Sequence, residues 1–326
     1  MDSCARAGAA TRTASRAHTV KTPHCFYASH CRALALPIVL WSIAFIAGLV
    51  VLVAGVVGDW ATEEARAERT FRARQLALSG IAMGLNPAIK TGDPLLKTGD
   101  KEEGFEVKIS NEAGKINPNY WIALNERTVF VQLFNGWNVE ERLRDSAIDG
   151  MIDWIDADDF RSLAGAERGE YEALGRPGFP ANRPFVHVRE LEAVIGLDTV
   201  LAAQKDWRDY FTIWHNGKVN LQFATEPLLV GLGRLTAQQY RLLFELRAGP
   251  DAVEGNADDV QFESIEDAAA VVGADGVQIQ ALENYFDVSG SVLRVESIGH
   301  CNGTLHRIIV IVPGEGGGGI LSWEEK

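Results

Sequence analysis

The stretch RALALPIVLWSIAFIAGLVVLVAGVVGDW, residues 32–60, is an apolar run that follows a basic N-terminal segment. Within residues 33–58 only Ser42 is plainly polar. A helix of this length, rising 1.5 Å per residue, is long enough to cross a hydrocarbon layer of about 30 Å. No second run of this kind follows it in the sequence. The stretch therefore predicts a single transmembrane helix, which we place at residues 34–58.

The charges on either side of this run predict its orientation. Residues 1–32 carry five Lys or Arg and one acid, Asp2. Because positive charge is retained in the cytoplasm, this leader is predicted to stay there while the rest of the chain is exported. The chain holds 31 basic and 44 acidic residues, so nearly all the acids belong to the exported body. Such a surface repels nucleic acid and attracts cations.

A cleaved secretory signal is the alternative interpretation of the same segment, because such signals also begin with basic residues. The apolar run is longer than a typical signal core, and no A-x-A site followed by a polar segment precedes Gly58. We therefore favour a membrane anchor.

The sequence that follows the anchor, DWATEEARAERTFRARQLALSGIAMGL at residues 59–85, keeps a helical period. Its larger apolar residues recur three to seven positions apart with charges between them, which predicts one buried face. That predicted face consists of Phe71, Leu78, Ala82 and Leu85. Anchor and amphipathic segment are predicted to form one continuous helix over residues 37–85.

Strand patterns begin at GFEVKISNEAGKIN, residues 104–117. Phe105, Val107 and Ile109 alternate with polar residues, which is typical of a half-buried strand. The segment NEAG has the composition of a turn and predicts a short second strand after it. Further strands are predicted near the C-terminus, in YFDVSGSVLRVESIG and LHRIIVIV.

A helix is predicted at NVEERLRDSAIDGMIDWIDADD, residues 138–159, and its acids form a stripe. Apolar residues repeat every four positions on one face, at Val139, Leu143, Ala147, Met151 and Ile155. The acids on another face are spaced by four, four and three, at Asp145, Asp149, Asp153 and Asp156. A loop rich in carboxylates follows this helix.

Several segments, in order, resemble the minor pseudopilin K subunit of type II secretion systems, also called general secretion pathway protein K. They are VLW in the anchor, SNEAGKIN, DWIDADD followed by GAE, GKVN, GPDAVEGNADDVQF and ILSWEEK, and they extend over residues 33–323. The resemblance implies an α+β fold, in which a long N-terminal helix packs on a small antiparallel pilin-like sheet that is interrupted by a large, mostly helical inserted domain. The implied boundaries are 1–33 for a cleaved leader, 34–58 for the membrane helix, 59–118 for the pseudopilin helix and first strands, 119–283 for the insertion and 284–326 for the closing strands.

The resemblance also implies a function. A K-type minor pseudopilin caps the tip of the periplasmic pseudopilus and assists protein export, and it is not an enzyme. Its implied partners are the I-type and J-type minor pseudopilins, the major pseudopilin, the inner-membrane secretion platform and the prepilin peptidase, with no nucleic acid. Its implied location is the bacterial inner membrane, as a single-pass protein with a cytoplasmic N-terminus and a periplasmic C-terminal domain.

Processing by the prepilin peptidase is implied between Ala33 and Leu34, followed by methylation of the new N-terminus. The family usually has glycine before the cut, and alanine is the smallest departure from it. Position five of the processed chain is Ile38, where most pilins and pseudopilins have a glutamate. A subunit without that glutamate is expected at the tip, where no further subunit lies above it.

Calcium is the cofactor that the resemblance favours, whereas composition alone favours a solvated acidic face. Ca²⁺ takes six to eight oxygen ligands, and flexible acidic loops supply them. On composition alone, the alternative is a solvated acidic face, and the resemblance tips the balance towards metal. Two loops qualify, with candidate ligands Asp156, Asp158, Asp159, Glu167 and Glu170 in the first and Asp251, Asn256, Asp258 and Asp259 in the second. Arg168 and Gly169 stand where the family tends to have further acids.

Two other functions are compatible with parts of the sequence. A membrane-anchored, calcium-dependent periplasmic hydrolase would need a nucleophile elbow, a zinc motif or an acid pair in a cleft, and no such motif is recognisable in the sequence. A DNA-uptake protein would use LLVGLGRLTAQQYRLLFEL, residues 228–246, as a helix-hairpin-helix. Few basic residues flank that segment, so a packing role for its two helices is favoured.

Overall fold

The computed structural model describes residues 31–256, 258–314 and 318–326, so most of the predicted leader lies outside the described residues. The chain divides into two compact units, Met1–Ala65 and Arg66–Lys326. The first helix, α1, runs over Cys31–Gly84 and includes Pro37, as the predicted fusion of anchor and amphipathic segment requires. Among the described residues, its portion Leu36–Gly84 is long and apolar enough to cross a membrane.

The second unit contains the rest of the helices and all of the described strands. The helices are α2 Pro118–Ala123, α3 Thr128–Gly136, α4 Glu141–Ile155, α5 Arg168–Ala173, α6 Leu197–Ala203, α7 Glu226–Gly231, α8 Ala237–Arg247, α9 Ile265–Val272 and α10 Gly276–Tyr285. The strands are β1 Lys97–Gly99, β2 Glu103–Asn111, β3 Val219–Asn220, β4 Phe286–Asp287, β5 Val292–Cys301, β6 Thr304–Pro313 and β7 Ser322–Glu325. Short 3-10 helices lie at Pro94–Leu96, Glu112–Gly114, Val188–Ala193 and Trp207–Asp209.

Five strands form an antiparallel sheet in the order β1-β2-β5-β6-β7. Its central pair joins β2 to β5, with Phe105 opposite Gly299 and Val107 opposite Ser297. These two strands are neighbours in space although most of the chain's helices lie between them in sequence. The structure thus confirms the predicted α+β fold, a long N-terminal helix and a small antiparallel sheet interrupted by a helical block, which comprises residues 118–285.

The C-terminal part of α1 packs on this sheet through small residues. Ala73 and Ala77 are fully buried, and Gly84 is buried one turn beyond Gly80. A Cβ atom added to Gly299 of β5 would lie 2.0 Å from the carbonyl oxygen of Ala73, so helix and strand backbones are in direct contact. Small side chains on the helix and glycine on the strand are what such a close approach requires.

The predicted apolar face of this helix segment was therefore right for Leu78 and Leu85, which pack against the sheet core, and wrong for Phe71 and Ala82. Phe71 is 61% exposed and Ala82 is also exposed, whereas Leu78 and Leu85 are only partly buried. The periodicity of the large apolar residues pointed to a conventional apolar stripe. The observed contact instead requires small side chains on the helix. A pattern of hydrophobic residues does not reveal which positions need a small side chain.

The second strand predicted after NEAG is also absent from the described structure of that region. Residues Glu112–Gly114 form a 3-10 turn, because the Asn111 side chain accepts a hydrogen bond from the Ala113 N–H and ends the strand. Ile116 then makes only an isolated parallel bridge with Phe211 of the helical block. The chain leaves the sheet at this point and enters a different hydrophobic core.

Two separate groups of buried residues hold the two parts of the second unit. The sheet core joins Ala77 and Ile81 of α1 to Phe105, Val107, Val295, Ile308 and Val310 of the strands. The larger core of the helical block contains Trp154, Phe130, Phe134, Tyr171 and Leu191 among others. The predicted helix over residues 138–159 is present as α4, and its residues Ala147 and Met151 are fully buried in that second core, although Leu143 is 39% exposed.

The helix-hairpin-helix segment, which contains α7 and α8, contacts the following pair of helices, α9 and α10, through side-chain hydrogen bonds. Gln239 of α8 and Gln278 of α10 exchange hydrogen bonds of 2.9 and 3.0 Å. Gln278 also donates to the carbonyl oxygen of Arg234, in the turn between α7 and α8. These contacts agree with the packing role that the sequence favoured for this hairpin.

Side chains of the C-terminal strand β7, at one edge of the sheet, contact both α1 and the helical block. Glu325 accepts two hydrogen bonds from the guanidinium of Arg74 in α1, at 2.8 and 2.9 Å. Glu324 contacts His187 of the helical block at 2.9 Å and Arg189 at 3.6 Å. The pair of glutamates in ILSWEEK thus contacts both α1 and the helical block.

Replacing Gly299 with alanine is expected to lower the stability of the second unit. The added methyl would meet the backbone of Ala73 and Ala77, so α1 must move away from β5. We expect a loss of about 1–3 kcal/mol, as for overpacked cores. Thermal unfolding of the detergent-solubilised chain measures it. Gly276→Ala is the control, because nothing lies within 4 Å of its added Cβ, and equal melting temperatures for both variants would contradict the close contact.

Candidate metal centre

Helix α4 places two aspartates inside the protein rather than on its surface. Asp149 and Asp153 are four residues apart, so they lie on the same face of the helix. They are 5% and 0% exposed, respectively. The helix ends at Ile155, and Asp156 follows in an extended conformation as its C-cap residue. The acidic stripe that the sequence predicted therefore turns partly into the core.

The loop after α4 folds back onto these aspartates through backbone hydrogen bonds. The Ala164 N–H donates to Asp149 at 2.9 Å, and the Ser162 N–H donates to both oxygens of Asp153, at 3.1 and 3.2 Å. A Cβ atom on Gly165 would lie 2.1 Å from Asp153 Oδ2, so only glycine fits there. These contacts position the next carboxylate, Glu167, over the end of α4.

A basic side chain forms an ion pair with one of the two buried aspartates but not with the other. The guanidinium of Arg127 lies 2.5 Å from Asp149, so that carboxylate is neutralised within the protein. Among the described residues, no Lys or Arg forms an ion pair with Asp153, Asp156 or Glu167. The charge of these three carboxylates is therefore not balanced by any basic side chain in the part of the chain that the structure describes.

Asp153, Asp156 and Glu167 form a compact cluster of carboxylates. One oxygen from each lies within 4.8 Å of the others. Oδ1 of Asp156 and both oxygens of Glu167 are buried and accept no hydrogen bond in the part of the chain that is described. Buried polar atoms without partners are costly, so their convergence points to a ligand that all three share.

The electrostatics of the three carboxylates favour protons on these groups. Burial, followed by the charges of Asp158 and Asp153, raises the pKa of Asp156 to about 6. Burial and the charges of Asp153 and Asp156 raise the pKa of Glu167 to about 7. Burial also raises the pKa of Asp153, against hydrogen bonds from Ser162 that lower it. A bound cation would reverse this effect, because it stabilises the ionised forms.

The raised pKa of Glu167 determines the direction in which its contribution to folding stability changes with pH. Its folded value of about 7 lies above the ordinary value of 4.5, so the folded state holds the proton more tightly than the unfolded chain. Without a cation, this group favours folding most at low pH, and its contribution is lost as the pH rises through about 7. Metal binding must displace the same proton and therefore becomes stronger over this range.

The other predicted ligands of the first loop have partners of their own. Asp158 accepts a hydrogen bond from the Phe160 N–H at 2.8 Å, and Asp159 lies 3.5 Å from Arg168. Glu170 contacts Arg161 at 2.9 Å and accepts from the Glu167 N–H at 3.0 Å. Of the residues predicted from this loop, the structure brings only Asp156 and Glu167 into the cluster.

Asp153 is the member of the cluster that sequence reasoning did not include among the ligands. It was placed in the acidic stripe of a helix, where aspartates are usually solvated. The signal for burial was available, because Asp153 lies between Met151 and Trp154, two residues of the core face. Its position relative to Glu167 depends on the return of the loop, which no spacing in the sequence encodes.

The second predicted loop is closed by its own hydrogen bonds. The side-chain amide of Asn256 donates to Asp251 at 2.8 Å, and the Gly255 N–H donates to Asp259 at 2.6 Å. Asp258 donates its N–H to the Asn256 side-chain oxygen at 3.1 Å. Within the described residues this loop does not gather three carboxylates as the first one does. Its role as a metal site stays a prediction.

The donors of the first cluster fit a hard cation such as Ca²⁺. All three are carboxylate oxygens, and Ca²⁺ binds oxygen in flexible coordination shells of six to eight ligands, which backbone carbonyls and water can complete. Zinc prefers nitrogen and sulfur ligands, which this set does not contain.

Comparison with known proteins identifies the family that this chain resembles. Residues 115–205, which include the cluster, match the family model for protein K of the type II secretion system. A chain in the crystal structure of the GspK-GspI-GspJ complex from the enterotoxigenic Escherichia coli type 2 secretion system has a similar fold. The TM-score is 0.59 at 15% sequence identity, and the match covers 83% of this chain and 99% of that chain. No curated protein matches the chain.

Replacing Glu167 with glutamine is expected to have opposite effects with and without calcium. In chelator near pH 8 the variant should melt higher than the parent, because one of three crowded buried charges is gone. The parent should gain about 2.7 kcal/mol when calcium reaches a hundred times its dissociation constant, and the variant should gain little. Magnesium should substitute poorly, because it prefers a tighter octahedral shell.

Thermal unfolding of the solubilised chain in chelator, calcium and magnesium measures these differences. Glu172→Gln, an exposed position on the same short helix, is the matched control and should keep the full calcium response. A parent protein with the same melting temperature in all three conditions would show that the cluster binds no divalent cation.

Proposed function

We propose that this chain, which the family match and the shared fold support as a minor pseudopilin K subunit of a type II secretion system, caps the tip of the pseudopilus. One observation carries the proposal. The helical block follows β2 and precedes β5, which are adjacent strands inside the pilin-like sheet. A body of that size on the sheet obstructs the stacking of a further subunit, which is tolerable only at the end of a filament.

The composition of the anchor supports the same position. Ile38 is apolar, and the hydroxyl of Ser42 donates to the backbone oxygen of Ile38 at 2.8 Å. The sequence of the anchor therefore offers no carboxylate to the terminal amine of a neighbouring subunit. A subunit in the shaft would lack this charge compensation in lipid, where unpaired charges are expensive.

The proposed partners follow from the family and from the structural relative. The relative is named as a complex of GspK with GspI and GspJ. By analogy, this chain assembles with the I-type and J-type minor pseudopilins at the tip. The major pseudopilin, the inner-membrane platform and the prepilin peptidase complete the proposed set. The family match suggests a structural role in secretion rather than catalysis.

The proposed location is the bacterial inner membrane, with a cytoplasmic N-terminus and a periplasmic body. The apolar helix and the basic composition of residues 1–32 support it. We also propose that Asp153, Asp156 and Glu167 bind calcium and fix the loop after α4 within the helical block. This ion is proposed to act in folding, because it joins the end of one helix to the start of another.

The tip position predicts where the chain is found on assembled filaments. Gold-labelled antibody against the helical block should mark one end of each pseudopilus, with the major pseudopilin labelled along the shaft as the control. The variant Ile38→Glu should label the same end, because the helical block still obstructs stacking. Label along the shaft, for the parent or for this variant, would contradict the capping proposal.

Processing predicts a change in size. Ala33→Leu should leave a larger precursor on a gel, because the peptidase accepts only a very small side chain before the cut. Ala35→Leu, two residues later, should be processed normally and serves as the control. An unchanged band for Ala33→Leu would place the cleavage elsewhere.

A further inference from the structure

The depth of the anchor in the bilayer follows from α1, and this inference rests on the proposed membrane anchor. The helix continues without a break from Cys31 to Gly84, so distances along it are set by a rise of about 1.5 Å per residue. The apolar run of residues 33–58 is therefore about 39 Å long. That is longer than the hydrocarbon layer of about 30 Å, so part of the run lies outside it or the helix is strongly tilted.

The C-terminal end of the run is fixed by charge. Asp59 is the first ionisable residue after residue 32, and Glu63 and Glu64 follow four and five residues later. Charged residues at this density stay out of hydrocarbon, so the layer ends near Asp59. Trp60 follows directly, and tryptophan prefers the interface between hydrocarbon and water.

The second tryptophan of the segment lies at the matching distance. Trp41 is nineteen residues before Trp60, which is about 28 Å along the helix and equals the thickness of the hydrocarbon within 2 Å or so. Both indoles are exposed, so they are available to lipid. Two tryptophans at this spacing are typical of the aromatic belts that hold a helix at a fixed depth.

Pro37 gives an independent reason to place the start of the run outside hydrocarbon. Proline has no N–H, so the carbonyl of Ala33, four residues earlier, has no donor within the helix. In hydrocarbon that carbonyl would stay without a partner, whereas water and headgroups supply donors at the interface. An interfacial position of this turn therefore explains why the helix tolerates Pro37, because water and headgroups can donate hydrogen bonds to the Ala33 carbonyl.

We propose that residues 34–40 lie in the lipid headgroup layer of the leaflet on the N-terminal side and that the segment from Trp41 to residue 58 crosses the hydrocarbon, with Asp59 and Trp60 at the opposite interface. The amine that cleavage would create at Leu34 then lies about 10 Å beyond Trp41, among headgroup phosphates. Anionic headgroups neutralise the chain's own terminal amine there. The lipid surface itself is the partner of this end of the chain.

Cysteine accessibility tests this depth in the full chain. The native Cys4, Cys25 and Cys31 are replaced by serine and the buried Cys301 by alanine. Single cysteines are then introduced as Ile38→Cys, Gly48→Cys and Thr62→Cys, and each protein is labelled in membrane vesicles of both orientations with an impermeant maleimide. Gly48 lies mid-span with open space around it, so the substitution is tolerated.

The proposal expects the cysteine at 38 to react at least about tenfold faster than the one at 48, from the side opposite to 62, because headgroups admit the reagent and hydrocarbon does not. A cysteine at 38 that is as protected as the one at 48 would overturn the proposed depth and leave the anchor intact. Rapid labelling at 48 without detergent would overturn the anchor and the depth together. The three outcomes are therefore distinguishable.

Discussion

The direct contact between the backbones of α1 and β5 is the constraint on which the rest of the body depends. A residue larger than glycine at 299 would displace the helix, and the alanines at 73 and 77 face the same contact. This proximity brings Arg74 within reach of Glu325 and closes the apolar core over Phe105 and Val310. Residues that separate the helix from the sheet would open that core along its whole length.

The sequence predicted the larger features of this molecule and missed those that depend on close fit. The apolar run, the alternation at Phe105 and Val107 and the period of α4 each report hydrophobicity, which is strong and local. The face of α1 that meets the sheet depends on volume, so the exposed Phe71 was misleading. The turn at Asn111 depends on one side-chain hydrogen bond, which outweighed the expected second strand.

The same distinction applies to the candidate metal centre. Composition located the acidic loop, and the structure gathers Asp156 and Glu167 from it. Asp153 joins them from inside a helix because the loop returns across α4 through the backbone of Ser162 and Ala164. No Lys or Arg among the described residues pairs with this cluster, so relief of its like-charge repulsion needs either protons or the calcium ion proposed above. Asp149 shows the alternative solution, since Arg127 neutralises it within the chain.

The placement of the helical block between two adjacent strands also determines the order in which the body forms. Asn111 and Ser291 are 180 residues apart in sequence, yet their side chains are hydrogen-bonded at 2.8 Å. Pairings of such high contact order form slowly, whereas the helical block is stabilised by nearer neighbours and can fold first. The block can therefore fold while β2 still lacks its partner β5. The edge of β2 is completed only when residues 292–326, the last 35 of the sequence, have been added, so a chain interrupted shortly before them presents an unpaired strand to its surroundings.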